Sequence, residues 1–221
     1  MTGTVPFKAV PIEAVLWDFG GVFTPSPFHA GRRFAEAKGL DFDGLFAAVF
    51  GSYHDDTDHP WHRVERGEMP LADAFGEITA AARASGVTFE LQEFFASMSD
   101  DGIDRTIVAD KVRMLRGRGL RMGIVTNNVR EFSERWRRLI PVDELFDDVV
   151  DSSAVGVRKP NPDIYHLALR RLGVTNPASA IFLDDFAPNV DAAVAIGLHG
   201  VVVDEDPRDA LAMIDQIIAG A

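Results

Sequence analysis

The chain has 221 residues, of which 47% are hydrophobic and 25% charged, a composition typical of globular proteins rather than disordered ones. Its formal net charge of −12 argues against a nucleic-acid-binding protein, because phosphate backbones are bound by stripes of Lys and Arg. The absence of cysteine excludes disulfides and thiolate metal sites and favours a reducing compartment.

Membrane association is not indicated either. No apolar stretch in the sequence approaches the roughly 20 residues that a membrane-spanning helix needs. The first residues, MTGTVPFKAVPIE, lack the hydrophobic stretch of a signal peptide. We therefore expect a cytoplasmic protein without a membrane partner, either a monomer or a homodimer.

The first predicted element is a strand over residues 12–18, because the apolar run AVLW is followed by Asp18 and a turn rich in Gly and Pro. From residue 28 to about 102 the apolar residues recur at helical spacing, and no strand-like run interrupts them. One helix is expected from Pro70 to about residue 86, and another amphipathic segment over 89–98. Residues 28–104 are thus predicted to form an all-helical insertion. We interpret Phe42, Phe46 and Phe50 as part of its core, and the alternative is that they line a substrate groove.

After residue 104 the pattern changes to an alternation of helices and strands. Helices are predicted at 104–118, 129–139, 162–172, 188–196 and 207–218, and strands at 120–126, 148–151, 180–184 and 200–203. Such alternation predicts an α/β fold with a mainly parallel, Rossmann-like sheet. Residues 1–27 and 105–221 would form this core.

Three polar clusters each end an apolar run. They are Asp18, the run Thr126-Asn127-Asn128, and the pair Asp184-Asp185. If the strands are parallel neighbours, their carboxyl ends meet at one edge of the sheet, where open α/β sheets bind ligands. Taken singly, each cluster has a simpler explanation: an Asp that starts a turn, a Thr that caps a helix, and acidic residues at a helix start.

Four motifs extend this pattern, and together they resemble a known family. The motifs are WDFGGVF, VTNN, VRKPNPDIY and FLDDFAPN, in that order. They resemble those of the haloacid dehalogenase superfamily, in the branch whose helical cap is inserted after the first strand. The segments DFGGVF and FLDDF most resemble those of the phosphatase domain attached to soluble epoxide hydrolase and of its stand-alone bacterial relatives. The resemblance implies a Mg²⁺-dependent hydrolase that removes phosphate from small phosphorylated metabolites through an aspartyl-phosphate intermediate.

The resemblance also implies roles for residues that would contact the phosphate. Asp18 would be the nucleophile, and the Thr126 hydroxyl would donate to a phosphate oxygen, assisted by the backbone amides of Asn127 and Asn128. Lys159 would neutralise phosphate charge and keep Asp18 ionised. An isolated Lys is ordinarily solvated, but this one lies in a loop stiffened by two prolines.

A second set of residues would hold the metal. The resemblance implies Asp18, the Gly20 carbonyl and Asp185 as direct Mg²⁺ ligands, with Asp184 acting through water or from outside the first shell. Gly20 and Gly21 would let the backbone approach the phosphate.

One position departs from the family. Phosphatases of this superfamily commonly carry a second Asp two residues after the nucleophile, as general acid and base, and here that position is Gly20. Such catalysis is typically worth about 10²- to 10⁴-fold in rate. We therefore hypothesise substrates with good leaving groups, such as anomeric sugar phosphates or acyl phosphates. The alternatives are a non-catalytic or weakly active phosphate- or metabolite-binding protein and, less favoured because of the acidic pair, a 2-haloacid dehalogenase.

The histidines allow further interpretations. His59 and His62 have a spacing that suits one helix face and a shared transition metal, but we favour an exposed polar loop for the segment YHDDTDHPWH. A third possibility is that a histidine or Trp61 of this segment reaches the substrate. His29 is the most plausible replacement proton carrier. The arginines at 135, 137 and 138 are interpreted as the solvated face of helix 129–139.

Overall fold

The computed structural model describes residues 10–84, 89–97 and 103–221. At its centre lies a five-stranded sheet in the order β3-β2-β1-β4-β5, and every neighbouring pair is parallel. The strands are β1 Ala14–Trp17, β2 Arg121–Thr126, β3 Asp148–Asp151, β4 Ala180–Asp184 and β5 His199–Val202. The predicted α/β, Rossmann-like fold is confirmed.

Between β1 and residue 104, the described residues form five helices. They are α1 Pro27–Lys38, α2 Phe42–Phe50, α3 Pro60–Glu65, α4 Leu71–Ala84 and α5 Leu91–Ala96. The described residues of this insertion contain no strand, as predicted. The insertion buries its own hydrophobic cluster, which includes Phe34, Leu45, Phe50, Ile78 and Phe94. The predicted helix ends near residue 86 and at residue 98 lie outside the described residues.

The remaining helices pack around the sheet. They are α6 Thr106–Gly117, α7 Ser133–Trp136, α8 Val142–Leu145, α9 Ser152–Val155, α10 Pro162–Leu172, α11 Ala187–Ala195 and α12 Arg208–Gly220. Two hydrophobic clusters cover the two faces of the sheet, one containing Val15 and Trp17 and the other Ala14 and Leu16. This alternation follows from the strand itself, because successive side chains point to opposite faces. Among the described residues, no helix has the length and apolarity that a membrane crossing requires.

The prediction of one helix over 129–139 is wrong. The segment forms a 3₁₀ turn, Arg130–Phe132, followed by the single-turn helix α7. Only Trp136 of its larger apolar residues is buried, with its ring centroid 4.5 Å from that of Phe19, while Phe132 and Leu139 are exposed. Val129, Phe132, Trp136 and Leu139 recur at helical spacing, but only Val129 and Trp136 are buried. Half of the apolar face that a longer helix would present is therefore not covered, and short helices depend on such packing. The single-turn helices α8 and α9 were not predicted at all.

The register of the central strands positions the site. Trp17 at the end of β1 is level with Ile124 of β2 and Leu183 of β4. The next backbone amide, that of Asp18, donates to the Leu183 carbonyl at 2.8 Å. Asp18 therefore leaves the sheet at the same edge as Asp184.

Candidate active site

Lys159 joins two of the strand ends. Its Nζ lies 2.9 Å from Asp18 Oδ1 and 2.6 Å from Asp184 Oδ2, and its side chain is completely buried. One carboxylate oxygen from each of Asp18, Asp184 and Asp185 lies within 4.8 Å of the other two. The structure thus brings together the carboxylates and the cation that the motifs singled out.

Asn127 holds the backbone of Lys159 in place. Its Nδ2 donates to the Lys159 carbonyl at 3.0 Å, and its Oδ1 accepts from the Lys159 amide at 2.8 Å. The sequence indicated a role only for the backbone amide of Asn127, so these two hydrogen bonds of its side chain were not predicted. The amide of Asn128 donates to Ser152 Oγ at 3.0 Å. It is already engaged, which argues against the predicted contact between that amide and phosphate.

The other predicted phosphate contacts lie beside these groups. Thr126 is the last residue of β2 and is buried. Gly20 follows Asp18 by two residues, and a Cβ built on it would meet no atom within 4 Å. There is therefore room for a side chain at the position where the family commonly has its second Asp.

The carboxylate cluster carries more negative charge than Lys159 can neutralise. Three carboxylates and one ammonium sum to −3 + 1 = −2 when all are ionised. Burial raises the pKa of Asp18 to about 7, although Lys159 opposes this shift. Burial, and then the charges of Asp184 and Asp18, hold the pKa of Asp185 well above its usual range. Buried carboxylates in this arrangement repel one another unless a proton or a cation intervenes.

The donor set fits a hard divalent cation. Asp185 Oδ2 is buried and has no hydrogen-bond partner in the described part of the chain. The Asp184 carboxylate, by contrast, also accepts from the Phe186 amide at 2.8 Å and from Asn189 Nδ2 at 3.1 Å. Free carboxylate oxygens are the ligands that Mg²⁺ prefers, so Asp18 and Asp185 are better placed to hold it than Asp184.

Gly21 leaves the space that the unpaired oxygen of Asp185 occupies. Its φ of +73° lies in the left-handed region that favours glycine. A Cβ at this position would stand 2.0 Å from Asp185 Oδ2. Any larger residue would therefore displace the carboxylate that lacks a partner.

The histidine segment is not simply an exposed polar loop, and that interpretation is wrong at its C-terminal end. His62 is completely buried in α3, and its Nδ1 accepts from the Thr57 amide at 3.0 Å. Burial, and then the charge of Arg158, lower the pKa of His62 to about 3. His59 caps α3, with its Nδ1 accepting from the Trp61 amide at 3.2 Å. Both Nδ1 atoms are occupied, which argues against a metal shared between the two rings.

A second buried ion pair lies next to the first. Arg158 Nε donates to Glu65 Oε2 at 2.7 Å, and both side chains are almost fully buried. Glu65 Oε1 also accepts from the Tyr53 hydroxyl at 2.6 Å and from Trp61 Nε1 at 2.8 Å. Trp61 is thus a buried partner of Glu65 rather than a residue that reaches for the substrate. The ion pair between Arg158 and Glu65 was not predicted. Only the position of Arg158 beside Lys159 in the VRKP motif could have suggested it.

A cavity of about 650 Å³ opens beside the carboxylates, since Asp185 and Phe186 both line it. Phe42 and Phe46 line it too, and both are half-buried and pack against the hydrophobic cluster of the insertion. They therefore combine the predicted core position with the alternative, a lining position, whereas Phe50 is buried as predicted. His29 also lines the cavity, and its Nε2 lies 3.9 Å from Asp204 Oδ1.

Comparison with known proteins shows the family of the chain. A family model described as haloacid dehalogenase-like hydrolase matches residues 12–197. Acyl-CoA dehydrogenase family member 10 of Mus musculus is 28% identical over 93% of this chain, and the match spans only 19% of that protein. Glyceraldehyde 3-phosphate phosphatase of Methanothermobacter thermautotrophicus is 30% identical over 81% of this chain and 68% of its own length.

Solved structures extend the likeness to the fold. An L-2-haloacid dehalogenase superposes with a TM-score of 0.63 at 20% identity, covering 93% of this chain and all of the other. Together with the carboxylates at the sheet edge, the family match establishes that the chain belongs to the haloacid dehalogenase-like hydrolases.

Proposed function

We propose that this chain is a Mg²⁺-dependent phosphatase of small phosphorylated metabolites. One observation carries the proposal: the nucleophile position, Asp18, lies 2.9 Å from a buried lysine in a cluster whose charge would be −2 with every group ionised. That charge matches one divalent cation, and hard oxygen ligands suit Mg²⁺. A bound Mg²⁺ would neutralise charge that develops on the phosphate oxygens.

Asp18 would attack phosphorus, and the ester bond between phosphorus and the leaving oxygen would break. Water would then hydrolyse the aspartyl-phosphate, which releases inorganic phosphate and restores Asp18. Lys159 would hold Asp18 ionised and pair with a phosphate oxygen, while Thr126 and the amide of Asn127 would donate to the others. The ligands proposed for the metal are Asp18, Asp185 and the Gly20 carbonyl, with Asp184 positioning Lys159.

The proton for the leaving oxygen needs a source other than position 20. His29 lines the cavity beside Asp185, and we assign it this role. The insertion, residues 28–104, would act as a cap on a core formed by residues 1–27 and 105–221. Its separate hydrophobic cluster supports that division, and closure of such a cap would exclude water from the site.

Turnover separates this proposal from a protein that only binds phosphate compounds. Acetyl phosphate and p-nitrophenyl phosphate should be hydrolysed with Mg²⁺ and not with EDTA, and Asp18→Asn should abolish release. Asp191→Asn, a change at an exposed residue of α11, is the matched control and should keep full activity. No Mg²⁺-dependent release by the wild type would overturn the proposal.

Gly20→Asp tests whether the missing acid at position 20 limits turnover. Because a Cβ at this position meets no atom within 4 Å, the variant should fold. If the missing acid limits turnover, it should raise kcat for poor leaving groups by about 10²-fold or more. An unchanged kcat would show that His29 or another group already supplies the proton.

Dehalogenation is the weaker candidate. Dehalogenases of this superfamily need no Mg²⁺, so that reaction would leave the buried Oδ2 of Asp185, unpartnered within the described ranges, without a use. Release of halide from a 2-haloacid in EDTA, without phosphatase activity, would reverse this preference.

A further inference from the structure

Phe and Tyr side chains form one wall of the cavity beside the carboxylates. Five of the lining residues are of these two types: Phe28, Phe42, Phe46, Tyr53 and Phe186. Its volume of about 650 Å³ falls within the range of roughly 300–1,000 Å³ that is usual for small-molecule sites. All five ring residues are only half-buried, so each leaves part of its surface uncovered.

The rings form a continuous wall that begins at the carboxylates. Phe186 follows Asp185 directly, and its ring stacks on Phe28 with centroids 4.5 Å apart and planes 9° apart. Tyr53 meets both rings edge-on, at 5.4 Å and 5.5 Å. Phe46 lies 5.0 Å from Phe28 and Phe42 lies 5.5 Å from Phe46. An apolar group attached to a phosphate at Asp18 would therefore meet ring surface almost at once.

The polar side chains that also line the cavity belong to His29, Arg32, Asp43, Ser52, His54 and Asp185. Two of them lie against the rings: the Arg32 guanidinium is 4.3 Å from the centre of the Phe42 ring, and the ring centroids of His54 and Phe186 are 5.9 Å apart. A sugar hydroxyl placed against the wall of Phe and Tyr rings would lose water without gaining a partner from the ring faces. A flat ring would gain stacking and edge contacts, which aromatic side chains favour.

We propose that the cavity binds the alcohol part of the substrate and selects phosphate monoesters of ring-bearing, apolar alcohols over polyhydroxylated ones. The selection rests on the phosphatase function proposed above, and it narrows that function to one class of substrate. Phe46 and Phe28 are its specificity-determining residues, because both line the cavity and contact each other across two helices.

The test compares phosphate esters of primary alcohols, whose leaving groups are similar: 2-phenylethyl phosphate, n-hexyl phosphate and glucose 6-phosphate. For the wild-type protein with Mg²⁺, kcat/KM should be highest for 2-phenylethyl phosphate and about 10- to 100-fold lower for glucose 6-phosphate. Equal or higher kcat/KM for glucose 6-phosphate or n-hexyl phosphate would overturn the proposal.

Phe46→Leu removes the ring but keeps an apolar side chain, so the variant should fold even if Phe46→Ala does not. It should lower the ratio of kcat/KM for 2-phenylethyl phosphate to that for acetyl phosphate by about tenfold. Phe75→Leu is the matched control, because Phe75 is a half-buried ring of the same insertion that stacks on Phe95 instead. Equal ratios in the wild type and Phe46→Leu would count against the assignment.

A binding measurement keeps this proposal distinct from the phosphatase proposal. Asp18→Asn protein should bind 2-phenylethyl phosphate at least about tenfold more tightly than glucose 6-phosphate, whether or not the wild type turns either over. Selective binding without any turnover would defeat only the proposed activity. Turnover of acetyl phosphate without selective binding would defeat only the proposed selection.

Discussion

Arg158 and Lys159 are adjacent, fully buried cations that reach two different acidic clusters. Lys159 points into the core, where it meets Asp18 and Asp184. Arg158 points into the helical insertion, where it meets Glu65 and lies 3.7 Å from Asp56. The two clusters contain the same kinds of group, and both are shielded from solvent.

They differ in how completely the protein satisfies the acidic groups. In the insertion, both oxygens of Glu65 accept from donors of the chain, namely Arg158, Tyr53 and Trp61. In the core, Asp185 Oδ2 has no partner among the described residues, and burial raises the pKa of two of the three carboxyls. A buried charge by itself therefore says little about function. A buried charge that the protein leaves uncompensated points to a ligand.

The balanced cluster should respond most strongly to the loss of one member. Arg158→Met leaves Glu65 buried without its cation, which should lower the free energy of unfolding by about 3–5 kcal/mol. Adding Glu65→Gln removes the stranded charge and keeps an oxygen that can accept from Tyr53 and Trp61. We expect this double variant to recover at least half of the loss in urea unfolding at pH 7. A double variant as unstable as Arg158→Met would mean that packing, rather than charge balance, sets the cost.

The unbalanced cluster should instead respond to added cation. Saturating Mg²⁺ at about 100 times its Kd should raise the free energy of unfolding by about 2.7 kcal/mol. Asp185→Asn should remove most of this response, since it replaces an oxygen that has no partner. Glu65→Gln is the control from the other cluster and should keep the full response. An Asp185→Asn protein stabilised by Mg²⁺ as much as the wild type would contradict the assignment of this oxygen as a ligand.

The core cluster could be predicted because its residues lie at strand ends. Apolar runs identified β1, β2 and β4, and parallel neighbours bring their carboxyl ends to one edge of the sheet. The prediction of three carboxylates at that edge needed no distances. Lys159 lies in a loop before α10 rather than at a strand end, and only the resemblance of its motif to the family assigned it to the site.

The insertion cluster could not be predicted in this way. Glu65 and Arg158 are 93 residues apart, and no periodic pattern relates a residue of a short helix to one in a distant loop. Charged residues are ordinarily exposed, so their burial depends on partners that only the folded chain supplies. For the same reason, the position of Phe42 and Phe46 beside a cavity could not be predicted. Helical spacing predicted that they face inward from α2, but not that a cavity lies there.

Two glycines with left-handed backbone conformations allow a comparison between a position beside the core cluster and a position away from it. Gly21 has a φ of +73° beside Asp185, and Gly39 has a φ of +64° at the end of α1. Alanine at either position should cost about 1–2 kcal/mol of backbone strain. Only at Gly21 would the new Cβ strike Asp185, whereas at Gly39 it meets no atom within 4 Å. Calorimetry should therefore find Mg²⁺ binding lost in Gly21→Ala and retained in Gly39→Ala, and equal affinities would refute the steric role of Gly21.

The smallest expected effect is a loss of stability at low pH, caused by His62 of the helical insertion. Burial, and then the charges of Arg158 and His59, keep His62 neutral in the folded protein, with a pKa of about 3, while in the unfolded chain its pKa is about 6.5. Because the pKa of His62 is lower in the folded protein, the contribution of this histidine to the free energy of unfolding is highest above about pH 6.5. This contribution decreases as the pH falls from about 6.5 towards 3, where only the unfolded chain takes up a proton at this histidine. Between pH 6.5 and 5.5 the loss should approach about 1 kcal/mol.

His62→Asn offers an oxygen to the Thr57 amide in place of Nδ1 and takes up no proton. Its free energy of unfolding should therefore fall less than that of the wild type over the same pH step. His54→Asn, a change at an exposed histidine, should follow the wild type. Only the difference between variants isolates His62, because Asp18 and Asp185 respond to acid in the opposite sense: their raised pKa values make protonation relieve repulsion in the folded state. If His62→Asn and the wild type lose stability in parallel, then His62 is protonated in the fold, and the cluster around Arg158 is less well balanced than its hydrogen bonds imply.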